Sequence, residues 1–173
     1  GPWHILPDMF LVSPEAHIRN LLQGTRTARR FGPKMPIGYI PDPFGHPGQV
    51  PQMLRGFGIQ AAALWRGVSD LPAELWWESP DGSKVLLAYL RDSYSNGANL
   101  PVHDPVQFTQ LISTAADSLA AHSSVSDFLI MLGTDHMEPS PHTSAAIAYV
   151  NENLPDTQVI HSTLPEYIQQ ITD

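Results

Sequence analysis

Within IGYIPDPFGHPGQVPQML, residues 37–54, one aspartate stands between two prolines. Each proline fixes its own φ and restricts the residue before it, so Pro41 and Pro43 stiffen the backbone on both sides of Asp42. A surface carboxylate needs no such bracket; a carboxylate aimed into a site gains from one. A second carboxylate, Asp135 in MLGTDHMEP, has a similar offset from an apolar run. Two converging carboxylates are the minimum equipment of a glycosidase, one attacking or activating water and the other handling the leaving-group proton. Arg66 in LWRG could neutralise or orient one of them, or bind a substrate hydroxyl. Trp65, Asp92 and His136 lie at comparable positions and are candidate substrate contacts. The ordinary alternatives are an aspartate that N-caps the next helix, an arginine in a surface ion pair, and Trp65, Trp76 and Trp77 used for packing. Among eight histidines there is no His-x-x-x-His or His-Glu-x-x-His, so no metal site is written locally.

These residues need elements to position them. Residues 3–6 form an apolar run closed by Pro7, the pattern of a strand. A helix follows, with Ser13 as N-cap, Pro14 at its first position, Glu15 at the positive end of its dipole and Gly32 as its stop. The spacing predicts strands at 37–40 and 61–64 around a short helix at 50–57. Two β-prone runs, 75–78 and 84–89, flank Pro80-Asp81-Gly82, which is a hairpin signal. After the polar loop RDSYSNGANLP come a helix from 104 or 105 to 122, a buried strand at 128–132, a helix at 143–153, a strand at 157–161 and a helix at 164–171.

Such alternation predicts a parallel sheet wrapped by helices, with one inserted β-hairpin. A complete eight-fold barrel takes about 250 residues, so 1–173 is expected to be one domain, either a small α/β protein or part of a barrel. Parallel α/β folds bind ligands beyond the carboxyl ends of their strands. The rim would then carry Asp8, Asp42, Trp65, Arg66, Arg91, Asp92 and Thr134-Asp135-His136.

Composition narrows the partners. The 173 residues are 42% apolar and carry a net charge of −8, without a dense basic cluster. Neither a nucleic acid nor an anionic membrane is the expected partner. Cysteine is absent, which excludes disulfides and thiolate metal sites and fits a cytoplasmic protein. No apolar run approaches the ~20 residues of a membrane span, and the start has no signal-peptide pattern.

GYIPDPFGHPGQVPQMLRGFGI, with LWRG, WWESPDGSKVLLAYL and LGTDHMEP in matching order, resembles glycoside hydrolase family 38, and so does GPWHILPDMFLVSPEAHIRNLL. These are the α-mannosidases, including bacterial cytoplasmic enzymes and mannosylglycerate hydrolases. The likeness spans essentially the whole chain. It implies a retaining α-mannosidase on a (β/α)7-type barrel, with one zinc ion and a mannoside or mannose-containing oligosaccharide as substrate. It implies Asp42 as nucleophile and zinc ligand, Asp135 as acid/base, and Arg66 near the nucleophile. His46 belongs to the signature but is not implied as a ligand. The family's remaining zinc ligands, a His-x-Asp pair and a distant histidine, are expected upstream of Gly1 and downstream of Asp173. Asp8-Met9 stands where the family usually has Asp-Glu, which weakens any role for that segment. The expectation is a central segment of a catalytic domain, inactive when isolated. Two alternatives are a non-catalytic module, with a homo-oligomer covering its open sheet edges, and another carbohydrate-active (β/α) enzyme such as a deacetylase-like barrel.

Overall fold

A computed structural model describes residues 2–172. Their elements are α1 (Pro14–Ala28), β1 (Ile37–Ile40), α2 (Val50–Gly56), β2 (Ala61–Leu64), β3 (Glu74–Glu78), β4 (Lys84–Tyr89), α3 (Pro105–Ala120), α4 (Thr143–Asn153) and α5 (Leu164–Gln170). The chain divides into two compact units, Gly1–Arg91 and Asp92–Asp173.

The first unit is a four-stranded sheet of order β1-β2-β4-β3. β1, β2 and β4 run parallel, with Ile40 beside Leu64 and Leu64 beside Tyr89. β3 pairs antiparallel with β4 through a tight turn in which Ser79 N–H donates to Ser83 O at 2.8 Å. All four residues of β2 are buried, the continuous burial expected of a parallel strand covered on both faces. Leu54 of α2 packs onto Gly38 of β1, where a Cβ would stand 2.5 Å from Leu54 Cδ1. Leu21, Ile40, Val50, Leu54, Ile59 and Leu87 form the centre of this core.

The helix ends follow the local signals in part. Ser13 caps α1, its hydroxyl accepting from Ala16 N–H. Residue 49, the N-cap of α2, supplies no side-chain cap. Ser79, at the end of β3, does so from a distance. Its Oγ accepts from Gln52 N–H at 3.0 Å and donates to Gly48 O at 2.7 Å, with the residue 3% exposed.

In the second unit, Phe108 and Ile112 of α3 pack with Ala146 and Val150 of α4, flanked by Leu100, Val102, Ile130, Leu154 and Val159. Asp104 caps α3, and Thr163 with Glu166 forms a reciprocal capping box on α5.

Three expected strands are corrected. Segments 3–6, 128–132 and 157–161 form no strand. Each carries strand-like apolar residues, and each has backbone groups met by an asparagine side chain instead of a neighbouring strand. Asn20 of α1 accepts from His4 and Ile5 N–H and donates to Ile5 O. Asn96 accepts from Met131 N–H and donates to Leu129 O. Asn151 of α4 accepts from Val159 N–H and donates to Val159 O. One amide supplies both donor and acceptor, which satisfies backbone groups in these segments without a ladder. Gly24 brings α1 against the backbone of Pro2 to His4, where any Cβ would collide.

Ser79→Ala leaves Gln52 N–H and Gly48 O without that partner in a buried position. A loss of about 1–3 kcal/mol is expected, read as a lower urea midpoint at unchanged slope.

Candidate active site

Asp42 and Arg66 meet because of strand register. Asp42 lies two residues beyond Ile40, Arg66 two beyond Leu64, and those strand ends are paired in register. Arg66 Nε stands 3.4 Å from Asp42 Oδ1, with both side chains about half exposed. Such a pair adds little stability, and its consequence is orientation. Pro41 and Pro43 are both buried, leaving the intervening carboxylate as the group presented outward. The Arg66 guanidinium carbon lies 4.3 Å from the centre of the Trp65 ring, so Trp65 supports Arg66 from behind by cation–π contact.

Gly67 permits this approach. Its φ is +79°, and a Cβ there would collide with the backbone of Phe44 and Gly45, meeting Gly45 Cα at 2.8 Å. The turn bearing Arg66 therefore lies directly on the turn bearing Asp42, with no room for a side chain between them.

His46 ties the two turns a second time. Its Nε2 is 2.7 Å from Arg66 O. A carbonyl only accepts, so Nε2 carries the proton and Nδ1 is the bare nitrogen. Nδ1 is buried with no hydrogen-bond partner among the described residues. The ring meets Trp77 edge-on, with centroids 5.9 Å apart. Burial lowers the His46 pKa below its ordinary value, opposed by the hydrogen bond to Arg66 O, so the imidazole is held neutral.

The other expected site residues are distributed differently. Arg91, two residues beyond Tyr89 of β4, turns to Leu71 O at 2.8 Å and Asp70 at 3.6 Å. Asp8 follows no strand, and its Oδ1 accepts from Phe10 and Leu11 N–H, closing a local turn. Asp92 is exposed at the start of the second unit. Asp135 and His136 also belong to that unit, where Tyr94 Oη donates to Asp135 Oδ2 at 3.0 Å. No strand precedes Asp135. Ser93 beside Tyr94 and His136 beside Asp135 both have positive φ, +94° and +60°. Such non-glycine strain costs of order 1–3 kcal/mol per residue and gathers at functional sites. Sequence reasoning placed Tyr94 in a polar loop; its signal was a single phenol among small polar residues. It also missed Ser79, whose task depends on a distant helix end.

No group of three or more His, Cys, Asp or Glu able to hold a metal ion occurs among the described residues. Asp42 contributes one carboxylate, already facing Arg66, and His46 has its protonated nitrogen on a carbonyl. These residues do not by themselves fit a zinc ion. No helix among the described residues is long and apolar enough to cross a membrane.

Comparison with known proteins adds an independent line. The model of the glycosyl hydrolases family 38 N-terminal domain matches residues 1–173. The chain is 38% identical over 188 aligned residues to a Halalkalibacterium halodurans protein named "Putative mannosylglycerate hydrolase", covering 100% of this chain and 21% of that protein. It is 34% identical over 107 residues to alpha-mannosidase G of Dictyostelium discoideum, covering 58% of this chain and 10% of that one. The crystal structure of an alpha-mannosidase from Enterococcus faecalis V583 superposes with a TM-score of 0.93 at 33% identity, covering 99% of this chain and 20% of that chain. The chain thus spans about a fifth of the length of the first of these relatives.

Gly67→Ala forces a side chain into a left-handed turn and into backbone. A loss of at least ~2 kcal/mol is expected, measured by chemical denaturation. His46 gives a pH dependence of definite sign. Its folded pKa is depressed, so its contribution to stability is present above about pH 6.5 and lost as pH falls through the folded value. Urea midpoints at pH 7.5 and 5.5 should differ less in His46→Gln than in the unmodified chain. An equal difference in both would remove His46 as the source.

Proposed function

We propose a reaction for a chain that belongs to glycosyl hydrolase family 38: hydrolysis of α-mannosides with retention, in a protein to which these residues supply two reacting carboxylates. The substrate class comes from the relatives, whose printed names are mannosidases and a mannosylglycerate hydrolase. The observation that carries the reading is Asp42, bracketed by buried prolines beyond β1 and faced by Arg66.

In this reading Asp42 attacks the anomeric carbon and the bond to the leaving oxygen breaks. Asp135 gives that oxygen a proton, then takes one from the water that hydrolyses the glycosyl-enzyme. Arg66 keeps the Asp42 carboxylate aimed and offers its remaining N–H groups to a sugar hydroxyl. Trp65 backs the guanidinium, while Asp92 and His136 are assigned to substrate hydroxyls. Zinc, bound through Asp42 and ligands outside this chain, would supply Lewis-acid polarisation of the substrate. The same reading makes the sheet part of a (β/α)7-type barrel, residues 1–173 a central segment of one catalytic domain, and the compartment cytoplasmic. The parallel order β1-β2-β4 fits a segment of such a barrel, and the absence of cysteine fits the compartment.

In the whole protein carrying this chain, Asp42→Ala should lower turnover of an aryl α-mannoside by at least ~10³-fold, whatever the leaving group. The first mannose released by the unmodified protein should be the α-anomer, followed by proton NMR before mutarotation. The β-anomer appearing first would sink the retaining reading, and full activity in Asp42→Ala would sink the nucleophile. The 173 residues assayed alone should give no turnover and no stoichiometric zinc by elemental analysis after dialysis. One zinc per chain with zinc-dependent turnover would overturn the view that ligands lie outside.

A further inference from the structure

We infer that Tyr94 is a positioning residue that divides the labour of the two Asp135 oxygens, holding Oδ2 so that Oδ1 is the oxygen that transfers a proton. The inference rests on the acid/base reading of Asp135 given above. It begins from the Tyr94 Oη donation to Asp135 Oδ2 at 3.0 Å, a contact across 41 residues of sequence.

The segment bearing Tyr94 is built to make that contact. Asn96 binds Met131 N–H at 2.7 Å and Leu129 O at 3.3 Å, a two-point attachment to the run leading toward Asp135. Gly97 N–H donates to Met131 O at 3.0 Å. A Cβ on Gly97 would stand 2.8 Å from Ile130 Cγ2, so the two segments touch without an intervening side chain. Ser93 Oγ accepts from Ser95 N–H at 3.2 Å, closing the bend that turns Tyr94 out of the loop. Positive φ at Ser93 and His136 flanks the phenol–carboxylate contact on both segments of the clasp. Strain held on either side of one hydrogen bond indicates that the surrounding structure fixes both partners.

A free carboxyl rotates and offers either oxygen. With Oδ2 occupied by the phenol, the proton of the acid form resides on Oδ1. In the first step it passes from Oδ1 to the leaving oxygen as the glycosidic C–O bond breaks toward that oxygen. Oδ1 then receives a proton from water in the second step. Tyr94 keeps its own proton throughout. A group that must meet a leaving oxygen at hydrogen-bond distance gains rate from such orientation.

The test uses Tyr94→Phe in the whole protein, with two α-mannosides. One has a dinitrophenol leaving group, which departs without protonation; the other has an alkyl alcohol, which does not. Tyr94→Phe should lower kcat/KM, which reports the first step, by roughly 10–100-fold for the alkyl mannoside and by less than about 3-fold for the dinitrophenyl substrate. Asp135→Ala should show the same selectivity more strongly, and Tyr94→Phe/Asp135→Ala should be no slower than Asp135→Ala. An equal loss of kcat/KM for both substrates in Tyr94→Phe, or no loss for either, would overturn the positioning role. If Asp135→Ala itself spares the alkyl mannoside, the acid/base reading fails and this inference falls with it. Additive losses in the double variant would show that Tyr94 acts independently of Asp135 and would also overturn it. Should Tyr94→Phe prove unstable by thermal melt, Gly97→Ala supplies the second arm: it displaces the clasp while keeping the phenol, and the same leaving-group selectivity is expected.

Discussion

Register is the constraint on which the first unit's candidate site depends. Three parallel strands end level with one another, Ile40 beside Leu64 beside Tyr89. Asp42 and Arg66, each two steps past its strand end, therefore come side by side. A slip of one residue would send each side chain to the opposite face of its strand. Asp42 and Arg66 would then no longer face one another, whatever their chemistry. Small residues enforce the register: Gly38 admits Leu54 over β1, and Gly67 admits the second turn onto the first.

The ion pair made by this register is half exposed and weak as a source of stability. Its surroundings are less forgiving. Arg66 is held through its guanidinium by Trp65 and through its carbonyl by His46, while His46 rests edge-on against Trp77. The His46 imidazole is kept neutral by burial, so it acts as a fixed donor rather than as a charge. A charged imidazole there would alter the field around Asp42. A chain of contacts from β3 thus reaches the carboxylate without adding another ionised group beside it.

Asparagine solves a different problem three times. An extended segment without a neighbouring strand still has amide groups to satisfy. Asn20, Asn96 and Asn151 each meet a donor and an acceptor on such a segment. In the second unit this aligns the run before Asp135 with the loop that bears Tyr94. Local hydrogen bonding and the candidate acid/base are therefore coupled through Asn96 and Gly97.

Much was legible in the residues alone, where the cause is local. Ser13-Pro14-Glu15 announces the start of α1, and Asp104-Pro105 that of α3, because caps and prolines act on the backbone within one turn. The brackets around Asp42 and the order of the motifs carried the family likeness. Apolar runs, by contrast, specify only that a segment wants burial. Residues 3–6, 128–132 and 157–161 carry large apolar residues as β1 does, yet strand formation requires a partner's backbone, and an asparagine took that place. The long-range assignments were decided by tertiary structure: Ser79 as the cap of α2, His46 as the tie to Arg66, and Tyr94 against Asp135. Each joins residues at least 20 positions apart, a distance over which sequence spacing carries no geometry until the chain has folded.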